Sequence, residues 1–335
     1  MALLLPQGYK SPLSPRETER AIKFIKDTFQ HEIIAALNLQ RISAPLFVRP
    51  ESGLNDNLSG VERPVSFDAP SIKGEPLEIV HSLAKWKRMT LAKYKFEVGE
   101  GLYTDMNAIR RDEEVDNIHS MYVDKCDWEA VISKEDRNLE TLKDYVRRIY
   151  KAMKSTMARV QAKYPQIPPC FPDEITFITT QELEDMYPDD DAKERENKIL
   201  REKKAVFLMQ IGKVLNSGEK HDGRAPDYDD WEINGDILVY YPLLDISFEL
   251  SSMGVRVDED TLMAQIKASG CEDRLELDFH KKLLNKELPY TIGGGIGQSR
   301  LCMLMLNKAH IGEVHASIWP DEMIKNCADN GINLI

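Results

Sequence analysis

The sequence predicts an α+β protein, an antiparallel β-sheet flanked by helices. Two long stretches, starting at Ser14 and Ser133, carry apolar residues at helical spacing. Four short apolar segments, at 172–180, 205–211, 236–241 and 248–257, read as strands. The last three of these lie close in sequence. That favours an antiparallel sheet with flanking helices over a doubly wound parallel one.

In chain order, Ser14 is the expected N-cap of a first helix, with Pro15 at its first position and acids in its first turn. Ile22, Ile25, Phe29, Ile33 and Leu37 then fall on one helical face. "QRISAPLF" follows as a strand ending near Pro45. A second long helix covers 133–164, with Leu142, Val146 and Ile149 on one side. After it come the first two predicted strands, "PDEITFITT" and "AVFLMQI", with a helical pattern over 181–203 between them. The charge run "PDDDAKERENK" inside that pattern reads as a solvated helix start. "DILVYY" and "FELSSMGVRV" are the next strands, and helical patterns fill 258–268, 272–285 and 298–307.

Composition narrows the function. The 335 residues suit one large domain or two small ones, and 42% hydrophobic residues suffice for a substantial core. The organisation expected is one domain over 1–335, with 1–13 as an N-terminal extension. A formal net charge of −12 with no basic stripe argues against a dedicated nucleic-acid surface. The five cysteines are scattered, without C-x-x-C spacing, as expected of a reduced cytoplasmic chain. "MALLLPQGYK" is too short for a signal peptide, and no apolar run approaches membrane-spanning length.

The most unusual stretch is "TIGGGIGQSRLCML", Thr291 to Leu304. A P-loop would need a lysine after the glycines, and none follows. The dinucleotide fingerprint would need glycine where Gln298 stands. A plain turn and a ligand site both remain open on these residues alone. Yet a Gly-rich strand end, then Arg300, then an apolar helix resembles the third signature of class II aminoacyl-tRNA synthetases. "LNLQRISAPLF" resembles the first signature, a long helix and strand at a dimer interface. "GLYTDMNAIRRDEE" with "HSMYVDKCDWE" resembles the second, a strand–loop–strand carrying an ATP-contacting arginine. The blocks "NDNLSGVERPV", "HSLAKWKR", "GEGLYT", "RAPDYDDW", "ELSSMGVRV", "EDRLEL" and "TIGGGIGQSRL" narrow the likeness further. Together they resemble the ammonia-dependent asparagine synthetases, over about residues 14 to 320.

That resemblance implies a class II synthetase catalytic core without an anticodon-binding domain, acting as a cytoplasmic homodimer. It implies that L-aspartate, ATP and ammonia give L-asparagine, AMP and diphosphate through a β-aspartyl-adenylate. A carboxylate is a poor acyl donor, and adenylation supplies the leaving group. By resemblance Arg110 bridges the α-phosphate and the substrate carboxylate. Glu113, Arg256, Gly295 and Arg300 contact ATP, with Arg300 laid on the nucleotide; a planar guanidinium suits that and a lysine does not. Asp236 and Glu249 are the implied Mg2+ ligands, hard oxygen donors that complete their shell with phosphates. Lys87 is implied to pair with a substrate carboxylate, although spacing alone does not prefer it to Lys85. Asp127 and Asp229 are implied to accept the α-ammonium, and Ser251 and Ser252 to lie on the strand lining the pocket. Asp56 is implied to reach the β-carboxyl end, where a carboxylate attracts ammonium and takes its proton.

The chain also departs from that family. Lys125 and Cys126 stand where it usually has Gln and Trp, the glutamine being counted among its active residues. Two rivals follow: a silent paralogue serving as a binding or regulatory subunit, and a tRNA synthetase for aspartate or asparagine. The second lacks spare length and basic charge for tRNA, and the first would be expected to have lost the arginines and acids that this chain keeps. No glutaminase-like cysteine opens the chain, residue 2 being Ala, so ammonia is the expected nitrogen donor.

Overall fold

Helix α1, Pro15–Leu37, begins as its sequence dictates. Ser14 caps the first turn, its hydroxyl accepting from the Glu17 N–H at 3.4 Å while the Glu17 carboxylate accepts from the Ser14 N–H at 3.0 Å. Its buried stripe of Ala21, Ile22, Ile25, Phe29, Ile33 and Leu37 packs with that of α3, Leu139–Lys163. The structure is a computed structural model that describes residues 3–56, 58 and 62–335. Ala2 and part of the 55–65 block lie outside the described residues.

The described residues form an eight-stranded sheet. From one edge it runs β1 (Leu39–Arg41), β5 (Gly101–Ile109), β6 (Tyr122–Val131) and β11 (Thr291–Gly297). It continues through β10 (Ile246–Arg256), β9 (Asp229–Tyr241) and β8 (Ala205–Met209) to β7 (Thr176–Thr179). All interior pairs are antiparallel, as expected, but β1 runs parallel to β5 at one edge and β7 parallel to β8 at the other. A small sheet of β2 (Phe47–Val48), β4 (Ile72–Ile79) and β3 (Ser66–Ala69) lies apart.

Three expectations shift. The segment "QRISAPLF" is not one strand: β1 stops at Arg41 and β2 starts at Phe47, because Pro45 offers no N–H to a ladder. The 181–203 pattern breaks into α4 (Thr180–Met186) and α5 (Ala192–Lys203) around Pro188. Asp191 caps α5, accepting from the Glu194 N–H at 2.8 Å, so the acidic run sits at a helix N-terminus where the dipole favours it. The 272–285 pattern is a 3-10 turn, Glu272–Glu276, followed by α7, Asp278–Leu284. The remaining helices are α2 (Ala84–Tyr94), α6 (Glu259–Ser269), α8 (Gln298–Met305) and α9 (Asp321–Asp329).

The sheet divides its residues strictly by side, and this positions the site. Paired residues of an antiparallel ladder point to the same face. Cys126, Trp128, Ala130, Met253, Val255, Ile292 and Ile296 join α1 and α3 in the main core. The alternate residues face the other way, to a cleft. In β6 these are Lys125, Asp127 and Glu129, opposite Gly297, Gly295 and Gly293 of β11.

Candidate active site

The four glycines of β11 make no turn. They are extended, none has a left-handed φ, and their role is clearance. A Cβ on Gly293 would lie 2.0 Å from Glu129 Oε2 and 2.7 Å from Arg256 Nη2. One on Gly295 would lie 3.0 Å from Lys125 Cδ and 3.4 Å from Asp127 Oδ2. The strand is bare so that long charged side chains from its neighbours can lie across it. Immediately beyond, Arg300 on α8 reaches back over the cleft. Its Nη1 donates to the Glu249 carbonyl at 3.2 Å and lies 3.4 Å from the Glu249 carboxylate.

Glu249 and Asp236 meet through a β-bulge. Glu249 pairs with Leu238, Ser251 with Ile237 and Ser252 with Asp236, so one extra residue, Leu250, lies between the first two pairs. Glu249 and Ser252 therefore share the cleft face with Asp236. Ser251 is turned to the opposite face, where it is buried and its hydroxyl has no partner among the described residues. Of the two serines expected to line the pocket, only Ser252 does. The alternation of the strand is the reason.

The cleft encloses about 390 Å³. Lys87, Arg110, Glu113, Lys125, Asp127, Asp229, Glu249, Ser252, Arg256, Gly295 and Arg300 all line it, so one site gathers residues spread over more than half the chain. Lys87 is wholly buried. It donates to Asp127, to the Trp128 carbonyl at 2.9 Å and to the Gly294 carbonyl at 2.9 Å, so its three hydrogens are spoken for within the wall. Lys85 points elsewhere, to Asp227 at 2.9 Å, where His280 (3.0 Å) and Arg274 (3.2 Å) converge on the same oxygen. The structure thus separates the two lysines that spacing does not. Arg256 is clamped: Glu129 accepts from its Nε at 2.9 Å and its Nη2 at 2.7 Å, and Asp229 accepts from its Nη1. Burial opposes the Glu129 charge, but Arg256 holds its carboxyl below the ordinary range.

Arg110 keeps a buried Nε without a hydrogen-bond partner among the described residues, with Glu113 3.7 Å from its Nη1. Lys125 has no hydrogen bond or ion pair among them either. Desolvation in the cleft, aided by Arg110 and Arg300, lowers its ammonium below the usual lysine range. Asp56 is buried beside the cleft near Tyr228. Its Oδ1 accepts from the Leu58 N–H at 2.9 Å, and its Oδ2 has no partner among the described residues. Burial, reinforced by the charges of Glu249 and Asp222, pushes the Asp236 carboxyl above the usual range against the pull of Arg224.

The residues that sequence reasoning missed are partners of those it found. Arg224 grips Asp236 at 2.7 Å, Glu129 sets Arg256, and Asp222 adds a third acid beside Asp236 and Glu249. A signal for Glu129 was present: it shares strand parity with Lys125 and Asp127. Arg224 opens the block "RAPDYDDW" but has no spacing that marks it.

Comparison with known proteins agrees with this architecture. Asparaginyl-tRNA synthetase from Pyrococcus horikoshii, complexed with asparaginyl-adenylate, superposes with a TM-score of 0.65 at 14% identity, covering 91% of this chain and 70% of that one. The Entamoeba histolytica asparaginyl-tRNA synthetase, also with asparaginyl-adenylate, gives 0.63 at 14% identity, covering 90% of this chain and 66% of that one. These likenesses show the fold, a class II aminoacyl-tRNA synthetase catalytic domain. Sequence relatives are far nearer. The aspartate–ammonia ligase of Ruminiclostridium cellulolyticum is 62% identical, covering 100% of this chain and 99% of that protein. That of Clostridium tetani is 63% identical, covering 99% and 98%. A profile described as aspartate–ammonia ligase matches residues 16–331. The chain belongs to the aspartate–ammonia ligase family.

Proposed function

We propose that this cleft joins L-aspartate to ammonia, using ATP and releasing AMP and diphosphate through a β-aspartyl-adenylate. The observation that carries the reading is the pairing of two charge environments in one cleft: an acidic pair, Asp127 and Asp229, each already against a buried cation, and a cationic group, Arg110, Lys125 and Arg300, of which Arg110 Nε and the Lys125 ammonium have no hydrogen-bond partner among the described residues. Aspartate brings an ammonium and two carboxylates, and ATP brings a triphosphate. The first environment suits the ammonium and the second the anions that must approach each other.

In this reading Arg110 lies between the α-phosphate and the β-carboxylate and stabilises the charge that builds as they join. Arg300 holds the nucleotide, with Glu113 and Gly295 beside it. Lys125 adds a compact positive charge to the phosphate side where the family usually carries glutamine. Lys87, implied by resemblance to pair with a substrate carboxylate, has its hydrogens on the protein and sets Asp127 on the aspartate side, while Glu129 sets Arg256 on the ATP side. Asp56, whose Oδ2 has no partner among the described residues, receives the ammonium and takes a proton as attack begins.

Mg2+ fits the residues present. Asp236, Glu249 and Asp222 are hard oxygen donors near one another; burial first, and then the charges of Glu249 and Asp222, raise the Asp236 carboxyl. Among the described residues no three His, Cys, Asp or Glu side chains form a metal cluster, so the ion needs oxygens from the phosphates. When bound with ATP it neutralises the phosphates; Asp236 and Glu249 would hold it. We further propose a cytoplasmic homodimer with no nucleic-acid partner. The net charge of −12 speaks against a nucleic-acid partner and the five free cysteines for a reducing compartment, while the homodimer rests on the family resemblance alone; no helix among the described residues is long and apolar enough to cross a membrane.

The test is direct: purified protein with aspartate, ATP, Mg2+ and ammonium should yield asparagine and AMP in equal amounts. Formation of ADP in place of AMP, or no asparagine, would end the proposal. Asp56→Ala should impair asparagine formation far more than aspartate-dependent exchange between pyrophosphate and ATP. Equal loss of both would make Asp56 an aspartate-positioning group only.

A further inference from the structure

Arg224 has no part in the roles above. It leaves the loop between β8 and β9, and its side chain is only 9% exposed. Nη2 donates to Asp236 Oδ1 at 2.7 Å and Nη1 donates to the Ser252 hydroxyl. Nε has no hydrogen bond among the described residues and lies 3.9 Å from Asp229 Oδ2. One guanidinium therefore spans from an acid of the aspartate end to an acid of the phosphate end. Its loop is pinned close by: His221 Nε2 lies 3.1 Å from Glu196, whose other oxygen accepts from the Ser247 hydroxyl at 2.9 Å. A long side chain on a pinned loop can pivot while its backbone stays.

The charges give that pivot a purpose. Glu249 and Asp222 line the cleft; Asp236 does not, but it feels the charge of both, and Arg224 is in contact with it. Oδ1 of Asp236 is already taken, so a divalent ion coming to this carboxylate meets the positive charge of the guanidinium in a nearly dry site and has to push it aside to escape that repulsion; the bond it breaks is charge-assisted, and such bonds are the strong ones. An ion arriving alone leaves the displaced guanidinium among acids but without a hydrogen-bond partner for that Nη2. An ion arriving with ATP brings phosphate oxygens that take it up.

We propose that Arg224 is a resident cation that competes with metal for Asp236, so that the ion enters with nucleotide and not by itself. This rests on the reading of Asp236 and Glu249 as the metal carboxylates and adds to it the residue that couples ion to nucleotide.

The experiment titrates Mn2+ into the full-length protein without nucleotide and follows free Mn2+ by its paramagnetic resonance. The wild type should bind weakly. Arg224→Gln should bind roughly tenfold tighter or more, the size expected from removing one charge-assisted hydrogen bond. Arg224→Lys, which keeps the charge, should stay close to wild type, and the gain should vanish in the double variant Arg224→Gln/Asp236→Asn. No gain in Arg224→Gln overturns the proposal, as does a gain that survives Asp236→Asn, because the ion then sits elsewhere. Asp236→Asn with a non-hydrolysable ATP analogue separates the two readings. Unchanged Mn2+ binding there removes the metal assignment and this proposal with it. Weakened binding there, with no gain in Arg224→Gln, removes this proposal alone. A crystal structure of the wild type with Mn2+ and the analogue gives an answer without a variant: Arg224 swung onto phosphate supports the proposal, and Arg224 still on Asp236 beside a bound ion overturns it.

Discussion

Lys85 and Lys87 are two residues apart on α2, and residues so spaced do not share a helix face. One turns to the cleft wall and the other to Asp227. The sequence could not tell them apart because the distinction is made by acids 142 and 40 residues away. Asp227 is wholly buried and tied to Lys85, His280 and Arg274, so it joins the blocks "HSLAKWKR", "RAPDYDDW" and "EDRLEL" in one knot. Burial works against its charge, but Lys85 and its companions hold the carboxyl far below the usual range. Lys85→Met should lower stability by about 3–5 kcal/mol, the effect of stripping a partner from a buried charge. Because Lys85 does not line the cleft, KM for aspartate should change little. Denaturant unfolding and steady-state kinetics on the same variant check both halves.

At the level of elements, the long helices were legible because their 3.6-residue period, and for the first its Ser14 cap, are written locally; the second, expected from Ser133, begins only at Leu139, behind the cap Asn138 that the period did not mark. The cleft was legible only as blocks. β11 has almost no side chains to show a strand pattern, and the bulge at Leu250 has no mark in the sequence, yet it decides that Ser252 and not Ser251 faces the site. A second feature at this scale borders the cleft. Arg63, next to Glu62, grips Asp112 with its Nη2, while its Nε lies 3.1 Å from the same carboxylate. This ties the stretch before β3 to the loop after β5, and Leu58, Glu62, Arg110 and Glu113 on those two segments line the cleft. The pair is exposed, so Arg63→Ala should leave stability nearly unchanged. KM for ATP should nevertheless rise several-fold as the two segments part. An unchanged KM would show that the pair is only a surface ornament.

Across the whole molecule, acid sensitivity has an identifiable source away from the cleft. His310 is fully buried, accepts at Nδ1 from the Gly312 N–H at 3.0 Å and stacks edge-on against Trp319 with ring centroids 4.7 Å apart. Burial lowers its pKa from 6.5 to about 4. Between those values the unfolded chain binds a proton that the folded chain refuses, so stability falls as pH drops below about 6.5 and this contribution levels off below about 4. The full loss is up to about 3 kcal/mol. In His310→Gln the slope of unfolding free energy against pH over that window should flatten. The sheet carries a broader consequence. Its strands are two messages interleaved letter by letter, one addressed to the fold and one to the reaction. A scan of every substitution along β6, scored for abundance and for turnover, should show the two scores alternating. Cys126, Trp128 and Ala130 should govern how much protein there is, and Lys125, Asp127 and Glu129 how fast it works. Along β10 the same rhythm should skip a beat at Leu250, where the extra residue changes the phase. Chemistry can then be rewritten on every second letter while the protein goes on folding.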